Sequence, residues 1–269
     1  MKKYTVLFIL LIITACAVSP TGRRQLMIVS PQQAIEASNN AYVQTLTPLQ
    51  ESGKLDLNPQ ISSRIRHIAG KIIAQAVLLY PYTGNWNWDI HVIDDNDTIN
   101  AWCMAGGKMA IHTGLLVEIE PTDDELAQVI GHEIAHALAN HTAEKMSVAL
   151  ASQIGLTTVG IASGGNNGSN ATLASAALAA GLAIQLPNSR RAEEEADLIG
   201  IELAARAGYD PRAAETLWRK MTEVGDAEIP EFLSTHPNPV NRISTLRRLV
   251  PLMLPYYEEE KERPLYLFD

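Results

Sequence analysis

The segment Gly131-His132-Glu133-Ile134-Ala135-His136 constrains this chain more than any other, because its two histidines can act together only if a helix forms around them. The sequence predicts that helix from Thr122 to beyond His141. Pro121 precedes it, and Thr122-Asp123-Asp124-Glu125 reads as a capping box, in which the threonine and glutamate side chains satisfy each other's free backbone amides. At about 100° per residue, side chains four apart stand about 40° apart around a helix. His132 and His136 therefore point to one side and can meet one tetrahedral metal ion. Glu133 falls in the same quadrant, within reach of a water on that metal.

Two ligands do not complete a catalytic zinc site, which takes three protein ligands and an open fourth position. His141 is near in sequence, but it sits five residues after His136, about 140° further round the helix, and so points away; it reads as a surface or packing histidine. The better candidate is Glu193, in Ser189-Arg190-Arg191-Ala192-Glu193-Glu194-Glu195-Ala196-Asp197. On a second helix Glu193 and Asp197 share a face with Gly200 and Ile201, while Glu194 and Glu195 turn away to solvent. One carboxylate can bind metal while the other accepts a ligating histidine's free ring N–H and fixes its tautomer.

The rest of the chain supplies an α+β, mostly helical frame. Isoleucines at 61, 65, 68, 72 and 73 place one apolar face on a helix from Pro59 to Leu79. Trp86 to Ile93 alternates like a strand, and Gly106-Gly107 separates two further strand segments, Ala101 to Met104 and Met109 to Ile111. Two small-residue stretches, 148–163 and 173–186, read as a helical hairpin around a glycine- and asparagine-rich tip. A final helix starts near Asn238, and the tail from Pro251 to Asp269 has no readable role.

At the N-terminus, Lys2 and Lys3, the apolar run Val6 to Ile13 and the small residues before Cys16 read as an export signal over residues 1–15. Ile13-Thr14-Ala15-Cys16 resembles a lipoprotein cleavage site, which would make Cys16 a lipid attachment point, residues 16–30 a tether and 31–250 the folded domain. Once the signal is removed, Cys103 is the sole remaining internal cysteine, so no internal disulfide is possible and Cys103 reads as a small buried hydrophobe. A net charge of −9 with no basic cluster argues against a nucleic-acid partner.

Four segments together resemble the gluzincin metallopeptidases that include HtpX, BepA, LoiP and the CAAX prenyl proteases, most closely the small LoiP-like lipoproteins. They are Asn100-Ala101-Trp102 through Lys108 with Thr113-Gly114-Leu115-Leu116, the histidine pair with Glu133, Ser189 to Asp197, and Thr235-His236-Pro237 with Arg242-Ile243. The resemblance implies a zincin-type domain holding one Zn2+ through His132, His136 and Glu193, with Asp197 as the partner of a ligand and Glu133 as general base. It also implies that Asn100, Ala101, Trp102, Cys103, Met104 and Ala105 form an edge strand that binds substrate backbone by strand addition. Ala105 departs from the proline common at that position. His236, held extended by Pro237, is expected to stabilise an oxyanion or occupy the metal's open position, with Arg242 adding fixed positive charge. The implied function is a zinc endopeptidase cleaving misfolded or membrane-associated proteins at the periplasmic face of a bacterial outer membrane. The rival reading is a metal-containing chaperone or scaffold that seldom cuts.

Overall fold

The computed structural model describes residues 16–162, 186–224, 231–237 and 239–268. Strands β1 (Cys16–Val18) and β2 (Arg24–Leu26) form a hairpin, followed by helices α1 (Pro31–Glu51) and α2 (Pro59–Leu79). A three-stranded sheet follows, made of β3 (Asp89–Ile93), β4 (Ala101–Met104) and β5 (Lys108–His112). The remaining elements are helices α3 (Thr113–Ile119), α4 (Asp123–Leu138), α5 (His141–Ala162), α6 (Arg190–Arg206), α7 (Ala213–Val224), α8 (Glu231–Thr235) and α9 (Pro239–Glu258). The fold is α+β and mostly helical, as the sequence predicts.

In the sheet β5 is central, parallel to β3 and antiparallel to β4, which leaves one long side of β4 without a strand partner among the described residues. Gly106 and Gly107 make the β4–β5 turn with φ of 82° and 80°, a region open to glycine and costly for other residues. A Cβ on Gly107 would also collide with the Trp88 ring. The apolar face of α2, including Ile65, Ile68, Ile72 and Ile73, is buried in a core shared with the sheet and α4. Each such isoleucine contributes about 1.5–3 kcal/mol.

Helix α4 is buried along almost its whole length, and its capping box forms as predicted: Thr122 accepts from the Glu125 amide, and Glu125 accepts from the Thr122 amide. It crosses α6 where two glycines meet. A Cβ on Gly131 would lie 2.7 Å from the Gly200 carbonyl oxygen, so small residues set this close approach. The helix stops at Leu138, short of the expected end, because Asn140 adopts a left-handed φ of 56° and α5 begins afresh at His141.

The N- and C-terminal parts are more ordered than the sequence suggests. Residues expected in the tether form the β1–β2 hairpin, in which Gln25 donates to the Ala139 carbonyl at 2.7 Å and caps the end of α4. Residues 1–15, with the expected export signal, lie outside the described residues. Helix α9 continues to Glu258 through Pro251 and Pro255. Each proline removes a helical hydrogen bond. Burial of Met253 and packing of the Arg206 guanidinium 3.7 Å from the Tyr256 ring centre offset that loss. The tail then folds back, with Tyr266 donating to the Gly70 carbonyl at 3.0 Å and Arg263 to the Arg206 and Tyr257 carbonyls. Of the expected helical hairpin, α5 covers the first half; residues 163–185 lie outside the described residues. No helix among the described residues is long and apolar enough to cross a membrane.

Candidate metal centre

His132 and His136 project from the middle of α4, Glu193 from the first turn of α6, and His236 from the loop after α8. All four are buried, and one donor atom from each lies within 4.8 Å of the others. His132 Nε2 is 3.0 Å from His136 Nε2 and 3.3 Å from Glu193 Oε2, and His136 Nε2 is 3.4 Å from Glu193 Oε1. Ligands about 2.0–2.1 Å from a tetrahedral zinc stand about 3.3–3.4 Å apart. The residues therefore fit zinc in both donor type and spacing. His236 Nδ1 stands where a fourth donor would, 3.2 Å from His132 Nε2 and 3.1 Å from Glu193 Oε1.

Charge is matched closely inside this buried site. Burial opposes ionisation of Glu193, but His236 and Arg242 beside it hold its carboxyl well below the usual range. Burial pushes the Glu133 carboxyl up, against the pull of His236 and His132. Glu133 Oε1 makes no hydrogen bond among the described residues, and His236 Nε2 stands 3.4 Å from it. Asp197 Oδ1 lies 3.2 Å from His132 Nδ1, which makes it the expected partner of that ligand.

Arg242 departs from expectation. Its guanidinium does not face the cleft beside Glu133: it donates to Asp197 Oδ2 at 2.8 Å and to Glu193 Oε2 at 2.6 Å, and stacks 3.7 Å from the Trp218 ring centre. Two buried carboxylates claim the charge, so it stands behind the ligands. His141 and Glu195 also differ. The break at Asn140 swings His141 back until its Nδ1 meets His136 Nδ1 at 2.7 Å, and its Nε2 meets Glu195 Oε2 at 3.0 Å. Glu195 is buried, whereas Glu194 is exposed as predicted.

The cleft in front of the cluster is lined by Asn100, Ala101, Trp102 and Cys103 along β4, with Glu133 and His236 opposite. The open edge of β4 thus runs beside the site. Met104 and Ala105 pack instead with Ala34, Ala37 and Ala41 of α1. Cys103 is a buried free thiol whose pKa burial raises. Two cleft residues have no signal in the sequence. Asn188 holds the His236 loop, its backbone amide donating to the Thr235 carbonyl at 2.9 Å and its side chain at 3.3 Å. Lys145, on α5, is brought down to about 8 by burial, against the pull of Glu193 and Glu133.

The profile of peptidase family M48 matches residues 57–250, which contain every residue of the cluster. The chain belongs to peptidase family M48. M48 peptidases are zinc metallopeptidases, so the gluzincin resemblance holds, the domain is zincin-type, and zinc is the metal that suits its donor set. The chain is 33% identical over 268 residues to the mitochondrial metalloendopeptidase OMA1 of Bos taurus, covering 94% of this chain and 50% of that protein. It is 34% identical to the mitochondrial metalloendopeptidase OMA1 of Saccharomyces cerevisiae, covering 76% of this chain and 60% of that protein. With the β-barrel assembly-enhancing protease of Escherichia coli it shares 31% identity over 62% of its own length and 36% of that protein's. The chain spans about half the length of the bovine relative.

Proposed function

We propose that this M48 peptidase is an endopeptidase that cuts misfolded or membrane-associated proteins in a bacterial cell envelope. The observation that carries the reading is the open edge of β4 running past Glu133 and the His132, His136 and Glu193 cluster in one cleft. An extended peptide can add to that edge through backbone hydrogen bonds, which places its amides beside the base whatever its sequence.

His132, His136 and Glu193 would hold a zinc ion, which when bound would supply Lewis acidity toward a carbonyl and a water of lowered pKa. Glu133, its carboxyl pushed up by burial, would take a proton from the attacking water and deliver it to the leaving amine. Asp197 accepts from His132 Nδ1 and fixes that ring's tautomer. Arg242 balances the two carboxylates of α6 so that both can stay buried and ionised. With zinc held by His132, His136 and Glu193, His236 Nδ1 would offer a fourth donor, and the loop that carries it, tied to Asn188 through the Thr235 carbonyl, would have to shift for a substrate to take that place.

Placement in the envelope rests on the predicted signal and on Cys16 as a lipid anchor facing the periplasm from the outer membrane. The likeness to a β-barrel assembly-enhancing protease supports it, since transmembrane β-barrels are built into outer membranes. Glu133→Gln should abolish cleavage of an unfolded protein such as casein while zinc content and fold stay intact; undiminished cleavage by the purified variant would refute the mechanism. Cys16→Ser should release the protein from membranes and lower its mass relative to the lipidated form. Unchanged mass and membrane binding would remove the anchor.

A further inference from the structure

We propose that His141 and Glu195 position the metal ligand His136, and that the N-terminal hairpin, by holding Glu195, is a working part of the metal centre. This rests on the zinc-site reading, because it requires His136 Nε2 to be committed to the ion.

His136 directs Nε2 into the cluster, 3.0 Å from His132 Nε2, and presents Nδ1 to His141 Nδ1 at 2.7 Å. One of these two Nδ1 atoms must carry the proton, and only one assignment suits every neighbour. With Nε2 given to a metal, neutral His136 keeps its proton on Nδ1 and donates to His141 Nδ1. His141 then holds its own proton on Nε2, which faces Glu195 Oε2 at 3.0 Å. The carboxylate accepts. A metal-ligating histidine ordinarily passes its free N–H directly to a carboxylate, a carbonyl or a water, as His132 does with Asp197. His136 does so through an intervening imidazole, and all three side chains are buried.

Glu195 is itself fixed from a distant part of the chain. The Ser19 hydroxyl donates to its Oε1, as does the Thr21 hydroxyl at 2.5 Å, and Arg23 Nε donates to Oε2 at 2.8 Å. The same guanidinium forks onto Glu144 at 2.7 and 2.6 Å. Glu144 lies on α5, the helix that His141 begins, and Glu195 lies on α6. The turn between β1 and β2 therefore ties α5 to α6 around His141. Few hydrogen-bonding positions on Glu195 are left unused, so the carboxylate is aimed by the hairpin rather than free to rotate.

The test measures Zn2+ affinity of the full chain by competition with a chromophoric chelator, alongside the melting temperature of the zinc-free protein. Glu195→Gln and His141→Phe should each weaken Zn2+ binding about 10–100-fold, the range for losing such an outer partner. The double variant should bind no worse than the weaker single one, because the two residues act in series on His136. Arg23→Met leaves the relay in place but loosens Glu195; it should give a smaller loss of the same sign, and it stands in if Glu195→Gln does not fold. Nitrogen-15 spectra of the zinc-loaded wild type should place the His136 proton on Nδ1 and the His141 proton on Nε2. Wild-type affinity in folded His141→Phe or Arg23→Met, additive losses in the double variant, or a His136 protonated on Nε2 would each overturn the proposal. Failure of the zinc-site reading looks different, since wild type would then bind Zn2+ no more tightly than Glu193→Ala.

Discussion

Replacing Gly131 by alanine sets two effects of opposite sign against each other. In a helix interior, alanine is favoured over glycine by about 0.5–1 kcal/mol, so propensity alone predicts a more stable protein. Packing predicts the reverse. The added Cβ would lie 2.7 Å from the Gly200 carbonyl oxygen, where ordinary contact begins at 3.4 Å, so α4 and α6 must separate by about 0.7 Å. No rotamer relieves the clash, because the opposing atoms are backbone. Overpacking of this kind costs about 1–3 kcal/mol, which after the propensity gain leaves a net loss of about 0–2.5 kcal/mol and a melting temperature lower by up to about 10 °C for a domain of this size.

The metal site should register the change more sharply. His132 follows Gly131 directly, and Glu193 rides on the opposing helix. Their donors stand 3.3 Å apart, and metal–ligand distances tolerate only about 0.2 Å, so a separation of this size must weaken zinc binding. Scanning fluorimetry with and without zinc, together with chelator competition, measures both effects. A Gly131→Ala protein that melts higher than wild type and keeps wild-type zinc affinity would show that the two glycines do not set the spacing of the ligands.

Further outcomes follow from the same structure. His236→Ala should raise turnover of a small peptide, because the side chain standing in the fourth donor position is removed; a lower rate would mean that the imidazole assists the reaction instead. His91, hydrogen-bonded to Asp56 and Asp89, is raised to about 9, so its contribution to stability is complete below its ordinary 6.5 and is lost as pH climbs through about 9. Asp56 is drawn down to about 2 by His91 against the effect of burial, and its contribution, present above its ordinary 3.8, is lost as pH falls toward that value. Nuclear magnetic resonance titration should find His91 changing charge near 9 in wild type and closer to its ordinary value in Asp56→Asn; an unmoved titration would discard the pair.

Periodic and capped segments were legible in the sequence. The Pro59–Leu79 helix, the capping box of α4 and the glycine turn of the sheet depend on local rules that a few neighbouring residues satisfy by themselves. Glu193 and Asp197 were legible for the same reason, since two acids four apart must share a face. What was not legible depended on a break or a distant partner. Helical geometry aimed His141 away only on the assumption that α4 continued, and one left-handed residue, Asn140, reversed the direction. An asparagine ahead of a second helical run is the signal that marks such a break. Glu195 read as solvated because its partners, Ser19, Thr21 and Arg23, lie more than 170 positions earlier in the chain.

The position of Arg242 follows from the energetics of α6. A helix that turns Glu193 and Asp197 inward must bury two carboxylates, and an uncompensated buried charge costs several kcal/mol. A guanidinium can answer both at once, because its planar fork presents separate N–H groups to separate oxygens. Lysine, a point charge on a flexible stem, could not serve both while its apolar part stacked on an indole. Trp218 of α7 supplies that stacking face, so the cation is neutralised on one side and covered on the other. Helix α9 is consequently docked on the metal centre by charge as well as by Leu246 and Met253 in the core. Arg242 therefore shapes the site by keeping Glu193 ionised and aimed, its guanidinium held on the ligand face by Glu193 and Asp197.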